Sequence, residues 1–147
     1  ASIEFDLVRS FDLDPTVWKI AEEINKELVM DNWKFKAQTA DIHSLNYRNT
    51  KYSTIKSDTS VENMKTTFNT IVNTSCEHIE GFDSWYSKIP NGKLLILQSN
   101  DYFEIDEHVN CSHNLEDFSQ STPMSQVLFE GELQLEKYTR FMKIGYK

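Results

Sequence analysis

The stretch Lys93–Val109, KLLILQSNDYFEIDEHV, constrains the fold of this chain more than any other. Its first half is almost wholly apolar, as expected of a strand buried on both faces, and its second half alternates polar and apolar residues. Asn100 and Asp101 stand between the halves, and both residue types tolerate the positive φ angles of a tight turn. The stretch therefore predicts a β-hairpin in which Ser99 lies opposite Tyr102.

This predicted hairpin has one apolar face and one mixed face. Its register places Ile96 opposite Ile105 and Gln98 opposite Phe103. The apolar face would carry Leu94, Ile96, Phe103, Ile105 and Val109. The mixed face would carry Leu95, Leu97, Tyr102, Glu104, Asp106 and His108. We expect the apolar face to lie in the core and the carboxylates to lie in solvent.

The mixed face contains a candidate metal site. Glu104, Asp106 and His108 alternate along the predicted strand, so their side chains would project from the same face. Two carboxylates and one imidazole suit Fe(II), Mn(II) or Zn(II) and could leave positions open for water or substrate. A solvent-facing strand with alternating polar residues is the simpler alternative.

Acidic residues are concentrated in the second half of the chain. The net charge is −8, and no Lys or Arg occurs between Lys93 and Lys137. Such a region repels phosphate and attracts cations or basic partners, so direct nucleic-acid binding is disfavoured. The residues predicted to form an acidic interaction surface are Asp101, Glu104, Asp106, Glu107, Glu130 and Glu132.

Two segments predict helices. Asp14 and Pro15 are typical of a helix start, and apolar residues then recur at helical spacing, which predicts a helix over 15–30. A capping-box pattern from Thr59 to Glu62, with apolar residues every three to four positions after it, predicts a second helix over 60–80. Strands are predicted at 2–9, 33–39, 43–47 and 51–56, with a final pair in 126–146 that turns near 134–137.

These elements predict an α+β protein. At 147 residues the chain suits a single globular domain, 1–147, with an antiparallel or mixed β-sheet and two amphipathic helices packed on one face. A ferredoxin-like fold or a related sandwich is the leading arrangement. No apolar run approaches the roughly 20 residues of a membrane span, and the N-terminus lacks the features of a signal peptide, so we expect a soluble, intracellular protein without membrane partners.

The two cysteines allow at most one disulfide. Cys76-Glu77-His78 and Cys111-Ser112-His113 both contain zinc-binding residue types, but this spacing is not that of a zinc finger. Cys76 also falls on an apolar stripe, which predicts a buried thiol.

The sequence leaves three functions open. The first is a non-enzymatic interaction or assembly module without a cofactor, which presents the acidic region 101–136 to a basic protein partner or to a second copy of itself. The second is a metal-dependent enzyme centred on Glu104, Asp106 and His108. The third is a small-ligand-binding domain with a pocket between the sheet and the aromatic segment 82–89. No Walker loop, nucleophile elbow or zinc-protease motif is present.

Overall fold

The computed structural model describes residues 5–55 and 61–147, with only the backbone described for 52–55 and 61–64. The chain divides into two compact units, Ala1–Leu45 and Asn46–Lys147. The described residues form four α-helices and eight strands, which confirms the α+β class. The ferredoxin-like arrangement is not confirmed, and the single domain stays a prediction.

The first unit is built on a parallel pair of strands, β1 (Val8–Asp12) and β2 (Phe35–Thr39). Parallel strands need a crossover connection, and here it contains two helices, α1 (Val17–Ile24) and α2 (Lys26–Met30). A 3₁₀ turn at Ile42–Ser44 follows β2. The unit is therefore a β-α-β arrangement in which the carboxyl ends of both strands lie at the same edge.

The sequence placed most of this unit correctly. The helix predicted over 15–30 is confirmed in position, but it is interrupted at Asn25, whose side chain donates a 2.8 Å hydrogen bond to the carbonyl of Ala21. Its apolar stripe was expected in the core, whereas Ile20 and Ile24 are exposed. The strand predicted over 33–39 is confirmed as β2 over Phe35–Thr39, whereas Trp33 lies in the preceding turn with a φ of 58°. The strand predicted at 2–9 lies partly outside the described residues, and β1 begins only at Val8. A 3₁₀ turn replaces the strand predicted at 43–47.

The second unit contains a mixed sheet of four strands, which are β5 (Thr70–Asn73), β6 (Leu94–Asn100), β7 (Gln126–Gln134) and β8 (Thr139–Tyr146). Their order in the sheet is β5-β6-β8-β7. Strands β5 and β6 are parallel and are joined through helix α3 (Phe82–Lys88), whereas β8 runs antiparallel to both β6 and β7. Helix α4 (Leu115–Ser121) connects β6 to β7. Strands β3 (Thr50–Ile55) and β4 (Val61–Thr66) form a separate antiparallel pair.

The core of the second unit lies around β6 and α3. Leu95 and Leu97 of β6 are fully buried, whereas Leu94 and Ile96 are half-buried. The face predicted to carry the carboxylates is therefore the more deeply buried one, and Trp85 of α3 is also buried. The indole nitrogen of Trp85 donates a 2.7 Å hydrogen bond to the hydroxyl of Tyr47. The segment 82–89 thus supplies core side chains, which are Phe82, Trp85, Tyr86 and Ile89.

The helix predicted over 60–80 is wrong. Its Thr59 end lies outside the described residues, and the remainder forms β4, β5 and a 3₁₀ turn at Cys76–His78. The segment 66–74 is rich in β-branched residues, which lose side-chain freedom in a helix and pack well in strands. Here the β-branched content outweighed the helical spacing of the apolar residues.

The hairpin over 93–109 is also wrong. Its first half is β6, but β6 pairs with β5 and β8, so Ile96 lies opposite Ile144 and Gln98 opposite Met142. The second half forms a series of turns, in which Ile105 and Phe103 are exposed rather than buried. The terminal hairpin is confirmed: β7 and β8 are antiparallel and turn between Gln134 and Thr139. In the ranges 5–55 and 61–147, no helix is long and apolar enough to cross a membrane.

Candidate functional site

A cluster of polar side chains lies at the carboxyl ends of the parallel strands β5 and β6. The 3₁₀ turn Cys76–His78 begins three residues after β5 ends, and the segment 101–112 follows the end of β6. In open sheets with parallel strands, ligands bind outside the carboxyl ends of the strands. This edge is therefore where the fold favours a site.

Glu77 is the central member of this cluster. Its side chain is 97% buried, and its Oε1 accepts a 2.8 Å hydrogen bond from the side-chain amide of Asn100. Its Oε2 is also buried and has no hydrogen-bond partner within the described part of the chain. A buried carboxylate oxygen without a partner is costly, so this atom marks a position where a donor or a cation belongs.

Two histidines lie beside Glu77. The rings of His78 and His108 meet edge to face, with their centroids 4.6 Å apart. One ring nitrogen of each histidine and a carboxylate oxygen of Glu77 all lie within 4.8 Å of one another. We name these three residues the Glu77 cluster.

The main chain fixes the tautomer of both imidazoles. Nδ1 of His78 lies 3.1 Å from the carbonyl of Glu107, and Nδ1 of His108 lies 2.6 Å from the carbonyl of Tyr102. A carbonyl oxygen can only accept a hydrogen bond, so Nδ1 carries the proton in each ring. In the neutral imidazole, Nε2 then keeps its lone pair for a ligand or a proton.

Cys111 borders the cluster but behaves as a protonated thiol. Its Sγ contacts the Oδ1 of Asn100 at 3.5 Å and the Nδ1 of His108 at 3.7 Å. Burial and the carboxylates of Glu77 and Asp101 raise the pKa of the Cys111 thiol. Burial, followed by the charge of Glu77, raises the pKa of the Cys76 thiol far more. Neither group has the lowered pKa of a nucleophilic cysteine.

Of the three residues predicted as metal ligands, the structure brings only His108 into the Glu77 cluster. His108 belongs to the Glu77 cluster, whereas Glu104 and Asp106 are exposed and are not members of it. The predicted geometry is wrong because residues 102–109 are not a strand, so alternate side chains do not share a face. The residues that do lie beside His108 are Glu77 and His78, which the sequence showed only as part of a weak Cys-Glu-His pattern.

The other residues of the two Cys-x-His patterns, Cys76, Cys111 and His113, do not belong to the Glu77 cluster. Cys76 is fully buried, as expected, and both cysteines are free thiols. His113 stacks on the ring of Phe103, with the centroids 4.8 Å apart, and does not belong to the cluster.

The residues of the predicted acidic surface fall in two stretches of the sequence. Glu104, Asp106 and Glu107 are exposed in the turns after β6, and Asp101 accepts a 2.6 Å hydrogen bond from the amide of Thr139. Glu130 and Glu132 lie on β7. Glu130 lies 4.0 Å from the ammonium of Lys143, a cation that is itself buried and bonded to Ser119.

The first unit has acidic residues at the carboxyl ends of its parallel strands. Asp12 ends β1, Asp14 follows it, and Asp41 comes two residues after β2 ends. The amide of Ala40 donates a 2.9 Å hydrogen bond to the carbonyl of Asp12, which places the two strand ends side by side. All three aspartate side chains are exposed.

Sequence comparison identifies no relative: neither a protein-family model nor a curated protein matches this chain.

Proposed function

We propose that the protein binds a small ligand with adjacent hydroxyl groups, of which the ribose of a nucleoside is the simplest example. The site would lie at the carboxyl ends of β1 and β2. The observation that supports this proposal is the set of exposed aspartates, Asp12, Asp14 and Asp41, at that edge of a β-α-β unit.

The arrangement of the strands favours this location. In doubly wound sheets, nucleotides bind across the carboxyl ends of parallel strands, and an acidic side chain accepts hydrogen bonds from the ribose hydroxyls. Strands β1 and β2 provide such an edge, with Asp12 as the last residue of β1. The side chains at this edge support the same location independently of the fold.

The carboxylates are oriented and charged for accepting hydrogen bonds. Oδ1 of Asp12 accepts a 2.9 Å bond from the amide of Asp14, and Oδ1 of Asp14 accepts 2.7 Å bonds from the amide and the hydroxyl of Thr16. The Thr16 bonds hold the pKa of Asp14 below its ordinary value, so this group stays ionised. Oδ2 of each aspartate is outside these bonds and can accept from a hydroxyl.

Asp41 is suited to a different part of the same ligand. Its Oδ1 accepts a 2.8 Å bond from the amide of His43, which holds the carboxylate against the 3₁₀ turn after β2. The neighbouring residue, Ala40, donates its amide to the carbonyl of Asp12 at the end of β1. Adenine, guanine and cytosine each carry an exocyclic amino group that can donate to a carboxylate. Residues 1–45 contain no glycine, so this unit has no glycine-rich loop to bind phosphate. The proposed ligand is therefore engaged through its sugar and base.

Titration calorimetry with adenosine, guanosine, cytidine and 2′,3′-dideoxyadenosine tests this proposal. We expect binding of at least one ribonucleoside, loss of binding when the hydroxyls are absent, and a loss of roughly tenfold or more in affinity for Asp12→Asn and Asp14→Asn. Glu23→Gln, an exposed acid on α1, is the matched control and should leave affinity unchanged. No binding of any ribonucleoside, or equal binding of the dideoxy compound, would overturn the proposal.

A second candidate function is the interaction module with an acidic surface. Strand β7 supports it, because this strand lies at the edge of its sheet and is exposed along almost its whole length. Its exposed apolar side chains are Val127, Leu128, Phe129 and Leu133. Glu130 and Glu132 lie between Phe129 and Leu133 on the same strand, so a basic strand is a better partner than a second acidic copy.

This alternative is tested with an extended peptide of alternating Lys and Val. We expect binding at low salt that weakens as salt rises, and loss of binding in a Glu130→Lys/Glu132→Lys variant. Binding that is unaffected by salt and by the double substitution would contradict this alternative.

We also propose an intracellular, reducing location, which the free thiols of Cys76 and Cys111 support.

A further inference from the structure

We propose that Glu77, His78 and His108 bind a divalent transition-metal ion, with Zn(II), Fe(II) and Mn(II) as the fitting class. This inference goes beyond the nucleoside proposal and does not depend on it, because all three residues belong to the second unit. It is also a different site from the one that the sequence predicted, since only His108 is shared.

The carboxylate of Glu77 has one oxygen that is not satisfied. Glu77 is buried with its Oε1 bonded to Asn100, while its Oε2 has no partner in residues 5–55 and 61–147. Leaving a buried polar atom unpaired costs about 1–3 kcal/mol, and more when the group is charged. A metal ion bound at Oε2 would remove this cost by supplying the missing positive charge.

The two imidazoles are arranged as metal ligands usually are. A histidine that binds a metal through one nitrogen usually donates from the other to a carbonyl or carboxylate, which fixes the ring and its tautomer. His78 does so to Glu107, and His108 does so to Tyr102. Both rings therefore already have the supporting hydrogen bond of a metal ligand, with Nε2 as the coordinating atom.

The three side chains lie close enough together to share one ion. One potential ligand atom from each of the three residues lies within 4.8 Å of the others. Ligand atoms that each lie about 2.1 Å from a shared ion would be about 3.4 Å from one another. Small movements of these side chains would therefore bring the three ligand atoms to coordination distance. His78 is exposed and His108 is half-buried, so each side chain can shift by a small distance while its Nδ1 stays bonded to the main chain.

The ligand set indicates the class of metal and what the site could do. Two imidazoles and a carboxylate favour Zn(II), Fe(II) or Mn(II) over Ca(II) and Mg(II), which prefer oxygen ligands. Three protein ligands leave at least one position for water or a substrate, as in catalytic rather than structural zinc sites. Cys111 is not in our ligand set, because its sulfur contacts the protonated Nδ1 of His108.

Metal binding is tested on the full chain with Zn(II) by calorimetry and with Co(II) by visible absorption. We expect one ion per chain and the absorption bands of a Co(II) ion with nitrogen and oxygen ligands. His78→Asn and His108→Asn should each weaken binding roughly tenfold or more, and Glu77→Gln should do the same. Circular dichroism shows whether each variant folds. If Glu77→Gln fails to fold, the two histidine variants decide the matter.

The matched controls come from the same region. Glu104→Gln and Asp106→Asn remove the two carboxylates of the sequence-predicted site, and His113→Asn removes a neighbouring imidazole. We expect all three to bind Zn(II) as the unmodified protein does. Absence of stoichiometric binding, or equal loss of affinity in the controls and the cluster variants, would overturn the proposal.

Discussion

The side-chain amide of Asn100 donates a 2.8 Å hydrogen bond to Oε1 of Glu77, with both residues almost completely buried. This bond links the carboxyl end of β6 to the 3₁₀ turn that follows β5. Oδ1 of Asn100 also accepts from the amide of Tyr102 and from the thiol of Cys111. One side chain therefore holds both the glutamate and the loop that carries His108.

Asn100→Ala should destabilise the protein by about 2–3 kcal/mol, because it leaves the carboxylate of Glu77 and the amide of Tyr102 without partners. Denaturation in urea, followed by circular dichroism, measures the change in the free energy of unfolding. Gln120→Ala is the control, because Gln120 bonds only an exposed glutamate on α4 and should change stability by less than about 0.5 kcal/mol. Equal effects of the two substitutions would contradict this role for Asn100.

The Cys111 thiol should react slowly with iodoacetamide at neutral pH. Its pKa is raised by burial and by the carboxylates of Glu77 and Asp101, so less thiolate is present than in a free cysteine at the same pH. We expect the midpoint of its labelling profile, measured by mass spectrometry in a Cys76→Ser background, to lie above the value of about 8.5 for a model peptide. Asp101→Asn should move that midpoint down.

The same shift has a consequence for stability. The folded protein keeps its thiol protons at a pH where the unfolded chain has lost them. The contribution of these groups to the free energy of unfolding therefore falls as pH rises above about 8.5.

In the labelling experiment, a midpoint for Cys111 at or below that of the peptide, or an upward shift in Asp101→Asn, would show that the environment of Cys111 is different from the one described.

Gly145→Ala should be strongly destabilising. A Cβ atom at this position on β8 would lie 2.2 Å from the carbonyl oxygen of Gln126 and 2.7 Å from the sulfur of Met124. The first contact is with backbone, so the β7–β8 ladder must shift, at a cost of about 2 kcal/mol or more. Gly131→Ala is the control, because its Cβ would meet only the movable ring of the exposed Phe129. In thermal denaturation, the melting temperature of Gly145→Ala should be well below that of Gly131→Ala. The reverse order would contradict the described register of β7 and β8.

Tyr47→Phe should cost about 1–2 kcal/mol, because it removes the acceptor for the buried indole nitrogen of Trp85. The matched change Tyr146→Phe, at a side chain that is 38% exposed, should be nearly neutral. The free energy of unfolding in urea measures both. A neutral Tyr47→Phe would mean that Trp85 finds another acceptor.

Local patterns predicted the elements that local interactions define. The helix over 15–30, strand β2 and the terminal β7–β8 hairpin each have a clear period and a turn or cap beside them, and all three are confirmed in position. The segment 60–80 failed because its apolar residues have helical spacing while its Thr, Val and Ile residues favour strands. Tertiary pairing with β6 decided between these tendencies.

The Glu77 cluster could be predicted only in part. The sequence identified His108 as a candidate ligand, but its partners come from a turn about thirty residues earlier in the chain. Parallel pairing of β5 with β6 brings Glu77 and His78 to His108, and no local pattern encodes that pairing. Recognising 70–73 as a strand would have placed Glu77 and His78 after its carboxyl end, where sites of parallel sheets lie.

The most direct test of the proposed ligand site is a titration of the ¹⁵N-labelled protein with adenosine, followed by amide chemical shifts. We predict that the amides bonded to the aspartate carboxylates, those of Asp14, Thr16 and His43, shift on addition of adenosine and shift much less with 2′,3′-dideoxyadenosine. Shifts elsewhere in the protein with these three amides unmoved, or identical shifts with the dideoxy compound, would contradict a ribose-binding edge at β1 and β2.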